Sequence, residues 1–251
     1  MGERTIQLLT EGFPERGAFD TAVSRALLLR VAEGEPQESL RLYRPGPVVS
    51  FGPQDVRAPG FERALHAAHA SGFGAVLRLG GGRAAVFHED TLAFAWTSPD
   101  AEARAHIQER YRETADIIRA ALTSLGVDAR IGEVPGEYCP GAYSVNAHGR
   151  TKLMGVGQRV AGKAAHVGGV VVVDGADRAR DVLVPVYEAL GLDWDPSTTG
   201  SVVEEAPGVT YEKVAQAIRD QFATRYTIVE GELSDSVLRL AERVLPEHEL
   251  G

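Results

Sequence analysis

The sequence has little of what a secreted or membrane-spanning protein needs. It contains one cysteine in 251 residues, so it cannot form an internal disulfide, and this favours a reducing compartment. Its longest apolar runs without glycine are far shorter than the roughly 20 residues that cross a bilayer. The first residues lack a basic segment followed by an apolar run, so we expect no secretory signal. These absences predict a soluble cytoplasmic protein with no membrane partner.

Basic charge is also scarce, since 26 Lys and Arg stand against 35 Asp and Glu, for a formal net charge of −9. Nucleic-acid-binding domains are normally basic, so we expect no nucleic-acid partner. The sequence has no HExxH, no paired CxxC and no dense carboxylate cluster, and it therefore predicts no metal site. It also lacks the GxSxG motif, which argues against a serine hydrolase of that type.

The composition is that of a globular protein, with 44 % hydrophobic and 24 % charged residues. Helical periodicity predicts helices over residues 19–32, 61–70, 101–125 and 177–190. Strand patterns are more numerous than alternating strand–helix units, so we expect an α+β fold with a large, mostly antiparallel sheet flanked by helices. Residues 1–190 would form the main domain. Residues 191–251, with amphipathic helices over 209–226 and 234–245, would form a C-terminal helical extension or else continue the same domain.

Cys139 is the first candidate for chemistry because it lies in the loop sequence Gly136-Glu-Tyr-Cys-Pro-Gly-Ala-Tyr143. A structural cysteine is normally a small hydrophobe within a helix or strand, whereas proline and glycine force irregular backbone here. A free thiol has a pKa of about 8.5, so a nearby cation would be needed to raise its thiolate fraction at neutral pH. Taken alone, the local sequence is equally compatible with a partly buried, inert cysteine.

Lys152 and a run of three glycines are the next candidates. A lysine returning towards Cys139 on a paired strand could stabilise a thiolate or polarise an acyl carbonyl, although a solvated lysine at a strand end is the ordinary alternative. Gly80–Gly82 would let the backbone approach a ligand closely. The run is neither a Walker A loop nor a GxGxxG opening a helix, and a simple glycine hairpin is its alternative.

Together these segments resemble the lipoate–protein ligase and octanoyltransferase family. Residues 78–88, an arginine followed by three glycines and a closing histidine, are similar to the family's first signature. Residues 152–159 (Lys-Leu-Met-Gly-Val-Gly-Gln-Arg) closely resemble the second. His166-Val-Gly168 stands where the family often has a His-Gly pair, and residues 47–54 are similar to its upstream strand. The four matches keep the family's order.

The resemblance implies a fold shared with biotin protein ligases, in which a large sheet is flanked by helices, and it makes residues 1–190 an acyl-transfer catalytic domain. It also implies that the glycine-rich turn and the Lys152 strand line a narrow apolar tunnel for an octanoyl or lipoyl chain. The acyl-binding residues that it implies are Arg78, Gly80, Gly81, Gly82, His88, Gly155, Gly157, Gln158 and His166.

The segment Tyr138-Cys-Pro-Gly-x-Tyr143 resembles the cysteine-dependent amidotransferase branch of this family. That branch implies Cys139 as a nucleophile that carries the acyl group as a thioester, with Lys152 stabilising the tetrahedral oxyanion. The acceptor would be the lysine of a lipoyl domain, such as the glycine cleavage H protein or the E2 subunit of a 2-oxoacid dehydrogenase. Acyl carrier protein is a possible donor, and no cofactor is required.

Two alternatives remain open at this point. In an ATP-dependent lipoate–protein ligase, which uses ATP and Mg²⁺, Cys139 would be incidental and Lys152 would contact an acyl-adenylate. Ala93 stands where such ligases often carry asparagine, which weakens this alternative. A non-catalytic protein that binds octanoate or lipoate is the second.

Overall fold

The computed structural model describes residues 4–251, which form two β-sheets and the helices that cover them. The strands are β1 (Thr5–Leu9), β2 (Glu38–Tyr43), β3 (Val48–Phe51), β4 (Gly74–Leu77), β5 (Ala85–Phe87), β6 (Thr91–Pro99), β7 (Ala129–Ile131), β8 (Val145–Ala147), β9 (Thr151–Ala161), β10 (Ala164–Val172) and β11 (Thr227–Glu230). The α-helices are α1 (Phe19–Ala32), α2 (Pro53–Val56), α3 (Phe61–Ala70), α4 (Ile107–Ser124), α5 (Ala176–Leu190), α6 (Val202–Glu205), α7 (Tyr211–Ala223) and α8 (Asp235–Val244).

The larger sheet has eight strands in the order β11-β1-β2-β6-β10-β9-β8-β7, and the smaller has three in the order β4-β3-β5. In the larger sheet only β11 with β1 and β1 with β2 pair in parallel, while the other pairs are antiparallel. The prediction of an α+β fold with a mostly antiparallel sheet is therefore confirmed.

The helices divide the apolar side chains between separate cores. Helices α4 and α7 pack together over the larger sheet. Helices α3 and α5 cover the smaller sheet, and the loop between β7 and β8 reaches into that second core. Helix α1 packs against α8 in a third cluster. The loop after β7 thus lies between the two sheets.

Two predicted helices are shorter in the structure because other bonds compete with them. The helix predicted from residue 101 begins at Ile107, since the Asp100 carboxylate accepts hydrogen bonds from the Glu102 N–H and the His106 ring. The helix predicted over residues 209–226 ends at Ala223. The chain after it forms β11, which continues the larger sheet beyond β1.

The C-terminal segment packs against the main body of the chain. The Phe222 ring meets the Trp96 indole of β6 edge to face, with ring centroids 5.6 Å apart. Tyr226 lies 5.7 Å from the same indole. A domain boundary near residue 190 stays a prediction, but the segment beyond it is not wholly helical, since it supplies a strand to the larger sheet. Within residues 4–251 no helix is both long and apolar enough to cross a membrane.

Replacing Phe222 with alanine tests how firmly this segment is joined to the sheet. Phe222 is 1 % exposed, so Phe222→Ala should lower the free energy of unfolding by about 3–5 kcal/mol. Urea unfolding should show one transition for the whole chain. The matched control is Val229→Ala, because Val229 is 42 % exposed and should cost less than about 1 kcal/mol. A separate early transition, or equal costs for the two variants, would contradict this packing.

Candidate active site

Three segments distant in sequence meet at one cavity of about 350 Å³. The loop between β7 and β8 contributes Cys139, the glycine-rich turn between β4 and β5 contributes Arg78, and β9 contributes Lys152. The structure thus brings together the cysteine, the lysine and the arginine that the sequence analysis singled out separately.

Cys139 has a backbone conformation that few residues other than glycine adopt, with φ of +42°. Its N–H donates to the Tyr187 hydroxyl at 2.8 Å, and that hydroxyl donates to the Ala84 carbonyl at 2.9 Å. Its carbonyl accepts from Lys152 Nζ at 2.8 Å. Strained backbone of this kind persists only where its surroundings hold it on several sides. Here the backbone is held from α5 on one side and from β9 on the other.

The Cys139 sulfur lies against two donors from the glycine-rich turn. The Arg83 N–H donates to Sγ at 3.2 Å, and Arg78 Nη1 lies 3.4 Å from it. Burial of the thiol disfavours the thiolate, but the charges of Arg78 and Lys152 and the bonds from Arg83 and Arg78 outweigh it. Together they lower the pKa of Cys139 below the ordinary value of a thiol. The surroundings of Cys139 therefore favour the thiolate, unlike the apolar surroundings of an inert buried thiol.

Lys152 is 1 % exposed, so the solvated strand-end alternative is wrong. Its Nζ donates to Glu137 Oε1 at 3.0 Å, to the Tyr138 carbonyl at 2.9 Å and to the Cys139 carbonyl at 2.8 Å. An ammonium group has three N–H bonds, and all three are engaged here. In this arrangement Lys152 acts on Cys139 through its charge and by fixing the loop, and it has no N–H directed at an acyl carbonyl.

Gly82 is the position in the glycine run where a side chain could not be placed. Its φ is +115°, and a Cβ there would lie 2.9 Å from Cys139 Sγ and 2.7 Å from Arg78 Nη1. Gly81 differs, because a Cβ there would meet nothing within 4 Å. The close approach of this backbone to the thiol thus depends on Gly82.

A second cavity of about 80 Å³ adjoins the first, and both are lined by Arg78, Phe87 and Gly169. Gly80, Gly157 and His166 lie in its wall. Burial, assisted by the charge of Arg41, lowers the pKa of His166 to about 4, so the imidazole is neutral at physiological pH. Its Nδ1 lies 3.2 Å from the Thr97 hydroxyl.

The predicted acyl-binding residues fall into three groups in the structure. Arg78, Gly81, Gly82 and Gly155 line the Cys139 cavity. Gly80, Gly157 and His166 line the second cavity, which Arg78 also borders. His88 and Gln158 line neither.

The positions of His88 and Gln158 have local explanations. The His88 ring is buried in the turn before β6, where Nδ1 accepts from the Asp90 N–H at 3.2 Å. The Gln158 amide donates to the Ile107 carbonyl at 2.8 Å and its oxygen lies 3.3 Å from Arg110 Nε. Both side chains hydrogen-bond to backbone groups. Neither lines a cavity in which an acyl chain could be bound.

Several site residues escaped the sequence analysis. Glu137 is fully buried beside Lys152, and its place directly before Tyr138-Cys139 was the only available signal. Arg83 acts through its backbone N–H, which its side-chain identity does not reveal. Tyr187 comes from α5, 48 residues after Cys139, and no local pattern points to it. Tyr111, whose ring stacks on that of Tyr143 with centroids 5.3 Å apart, also forms part of the cavity wall.

Metal-ligating side chains do not gather at this site or elsewhere in residues 4–251, where no group of three His, Cys, Asp or Glu could hold a metal ion. Arg78, Lys152, Cys139 and three tyrosines are the ionisable groups among the residues lining the Cys139 cavity.

Residues 16–223 match the family described as the lipoyl protein ligase A/B catalytic domain. The chain belongs to this family. The match covers both sheets except for β1 and β11, and it includes every residue of the cavity that holds Cys139.

Related proteins carry names from the acyl-transfer branch. Over 170 residues the chain is 28 % identical to the octanoyl-[GcvH]:protein N-octanoyltransferase of Geobacillus kaustophilus, covering 68 % of this chain and 60 % of that protein. It is 33 % identical to the Anoxybacillus flavithermus protein of the same name over 64 % of this chain and 57 % of that protein. The lipoyl-[GcvH]:protein N-lipoyltransferase of Listeria monocytogenes is 28 % identical, over 54 % of this chain and 49 % of that protein. The matched region thus spans about half to three fifths of these relatives.

Solved structures support the same fold. A lipoate–protein ligase A bound with ATP superposes with a TM-score of 0.79 at 20 % identity, over 98 % of this chain and 95 % of that one. A putative lipoate protein ligase from Thermoplasma acidophilum with bound lipoic acid gives 0.75 at 19 % identity, over 98 % and 96 %. At this level of identity the likeness concerns the fold alone.

Substituting Gly82 and Gly81 one at a time tests whether the reactivity of Cys139 depends on the close approach of the backbone at Gly82 or on the general flexibility of the turn. Gly82→Ala should displace Sγ from Arg78 and Arg83, raise the pKa of Cys139 and slow its alkylation at neutral pH about ten-fold. Gly81→Ala should leave the rate unchanged. The measurement is the rate of iodoacetamide labelling of the single cysteine, followed by intact mass. Equal rates in the two variants would contradict the geometry described here.

Proposed function

We propose that the protein transfers an octanoyl or lipoyl group to the acceptor lysine of a lipoyl domain through a thioester on Cys139. One observation carries the proposal: the Cys139 sulfur lies between the Arg78 guanidinium and the Arg83 N–H in a cavity that adjoins a second, partly apolar one. Catalysis by a thiolate needs a nucleophile activated by cations and a place for the acyl chain. The two donors at the Cys139 sulfur and the adjoining cavity support both requirements.

The first half-reaction loads the cysteine. The Cys139 thiolate attacks the acyl carbonyl of the donor, and a C–S bond forms while the bond to the donor's nitrogen or sulfur breaks. A departing lysine nitrogen takes one proton from solvent and leaves as an amine, whereas the sulfur of a thioester donor leaves as a thiolate. As the sulfur becomes a thioester, Arg78 and the Arg83 N–H are released from it and can donate to the developing oxyanion.

This assignment moves the oxyanion role away from Lys152. The Lys152 donors are already bound to Glu137 and to two loop carbonyls. The Cys139 N–H is also unavailable as an oxyanion donor, because it is bonded to Tyr187. Arg78 and the Arg83 N–H are the donors closest to the reacting sulfur. Lys152 contributes its positive charge, which favours the thiolate both as attacking group and as leaving group.

The second half-reaction passes the acyl group to the acceptor. The lysine nitrogen attacks the thioester carbonyl, the C–S bond breaks, and Cys139 leaves as a thiolate stabilised by Arg78. None of the described residues lining this cavity is a carboxylate or a histidine, so no lining side chain is an obvious base. The two cations favour the neutral form of an amine that enters beside them, and the proton is lost to solvent.

The second cavity is the proposed place for the far end of the acyl chain. A chain attached to Cys139 would pass Arg78, Phe87 and Gly169 to reach it. Burial of each CH₂ contributes about 0.8 kcal/mol, so an octanoyl chain would be favoured over an acetyl group by about 5 kcal/mol. His166, neutral and in the wall of this cavity, would be compatible with such a chain.

Partners and cofactors follow from the same reaction. The names of related proteins include a GcvH donor, and we propose the glycine cleavage H protein as acyl donor, with lipoyl domains of E2 subunits as acceptors and acyl carrier protein as an alternative donor. Transfer from the thioester of acyl carrier protein to a lysine amine is energetically downhill, and transfer from one lysine amide to another lysine is close to neutral. It therefore requires no ATP, Mg²⁺ or other cofactor.

The test is an intact mass of the protein mixed with octanoyl-acyl carrier protein or with an octanoylated lipoyl domain, without ATP. We expect a hydroxylamine-labile octanoyl adduct on the wild type and its loss in Cys139→Ala. Adding an unmodified lipoyl domain should discharge the adduct onto that domain. The Glu133→Gln protein, changed at an exposed residue that lines neither cavity, should behave like the wild type.

Two other outcomes would overturn the proposal. Lipoyl-domain modification that requires ATP, Mg²⁺ and free lipoate and survives Cys139→Ala would make the protein a lipoate–protein ligase. Binding of octanoate with no transfer under either condition would make it a non-catalytic acyl-binding protein.

A further inference from the structure

Glu137 has a carboxylate that receives four hydrogen bonds while fully buried. Its Oε2 accepts from the Val134 N–H at 3.1 Å. Its Oε1 accepts from the Gly141 N–H at 3.1 Å, from the Ser144 hydroxyl at 2.6 Å and from Lys152 Nζ at 3.0 Å. The side chain is 0 % exposed. Neither family signature includes this residue, and the reaction proposed above does not use it directly.

The chemistry of these four partners requires a carboxylate. All four are donors, and an ionised carboxylate is an acceptor at both oxygens with room for about four bonds. A glutamine of the same shape has one acceptor oxygen and an NH₂ group that donates. It would place that NH₂ against at least one N–H or O–H, leaving a buried donor unpaired at a cost of about 1–3 kcal/mol.

The four bonds connect both flanks of the nucleophile to the sheet. Val134 precedes Cys139 and Gly141 follows it, so one side chain ties together the two ends of the turn that carries the thiol. Lys152 connects this clamp to β9 and continues to the Tyr138 and Cys139 carbonyls. The left-handed conformation of Cys139 thus depends on Glu137 through two routes, the loop backbone and the lysine.

We propose that Glu137 is a positioning residue for acyl transfer: its buried carboxylate clamps the loop so that Cys139 Sγ stays beside Arg78 and the Arg83 N–H. This inference rests on the proposed function for its catalytic meaning. Its geometric content, the placement of the thiol, can be measured without any acyl donor. Loss of the clamp frees the loop, and the thiol moves away from the two donors that favour its ionised form.

The experiment measures the alkylation rate of the single cysteine against pH, on protein kept below its unfolding temperature. The midpoint is the pH at which the alkylation rate reaches half of its plateau. In Glu137→Gln we expect this midpoint to rise by about one pH unit, towards the value of a free thiol near 8.5. Glu137→Asp keeps a carboxylate, so its midpoint should lie between those of Glu137→Gln and the wild type. Glu133→Gln is the matched control, because Glu133 is an exposed residue close by in sequence and its midpoint should equal that of the wild type.

A residue that only stabilises the fold would lower the melting temperature and leave the midpoint in place, so an unchanged midpoint overturns the proposal. A midpoint that falls below the wild type also overturns it, because Glu137 would then act on the thiolate through its charge alone. If Glu137→Gln does not fold, Ser144→Ala removes one of the four donors and should raise the midpoint by a smaller amount. Absence of a shift in both Ser144→Ala and Glu137→Asp would then overturn it.

Octanoyl loading measured on the same proteins separates this inference from the function on which it rests. We expect loading of Glu137→Gln to fall about ten-fold with the thiolate fraction at neutral pH. A wild type that takes no octanoyl group, while its midpoint still responds to Glu137→Gln, would reject the transfer function and leave the positioning role standing. Normal loading with an unmoved midpoint in Glu137→Gln would reject the positioning role and leave the transfer function standing.

Discussion

A cysteine in left-handed backbone has to be held from both sides, and much of the site follows from that constraint. Tyr187 takes the Cys139 N–H and Lys152 takes its carbonyl. Lys152 must then be buried, and a buried ammonium is tolerated only with a counter-charge and full hydrogen bonding. Glu137 supplies the counter-charge and ties the same loop together. The bonds that position the Cys139 thiol and the charges that favour its ionised form therefore belong to one network.

The different contacts of Arg78 and Lys152 follow from the same hydrogen-bond network. All three N–H groups of Lys152 donate to Glu137 and to loop carbonyls. The contacts with the Cys139 sulfur therefore come from Arg78 and from the Arg83 backbone N–H. This backbone approaches the sulfur closely because Gly82 has no side chain. A sequence motif shows that a lysine and an arginine are present. It does not show which of them still has a free donor, because that depends on partners such as Glu137 and the Tyr138 carbonyl.

Much of the fold could be predicted from the sequence, since helices such as α3 and α5 have one apolar face at helical spacing and strands such as β3 and β10 are rich in valine. The failures have tertiary causes. Strand β11 is short and half exposed, and it exists because β1 offers an unpaired edge beside it. The start of α4 is displaced because Asp100 binds the turn before it. For the site, Cys139, Lys152 and Gly82 stood out locally, whereas Tyr187 is brought to the cysteine only by the packing of α5. His88 and Gln158 belong to the two family signatures, yet their side chains hydrogen-bond to the backbone and line neither cavity.

Arg78 lies beside the Cys139 sulfur and lowers the pKa of the thiol below that of a free cysteine. The direct measurement is the ultraviolet absorbance of the thiolate during a pH titration of the native protein, with the Cys139→Ala titration subtracted. Because the chain has one cysteine, the difference belongs to Cys139. We expect a midpoint below the ordinary value of about 8.5 and its return towards that value in Arg78→Met. A native midpoint at or above the ordinary value, or one that Arg78→Met does not move, would contradict the account.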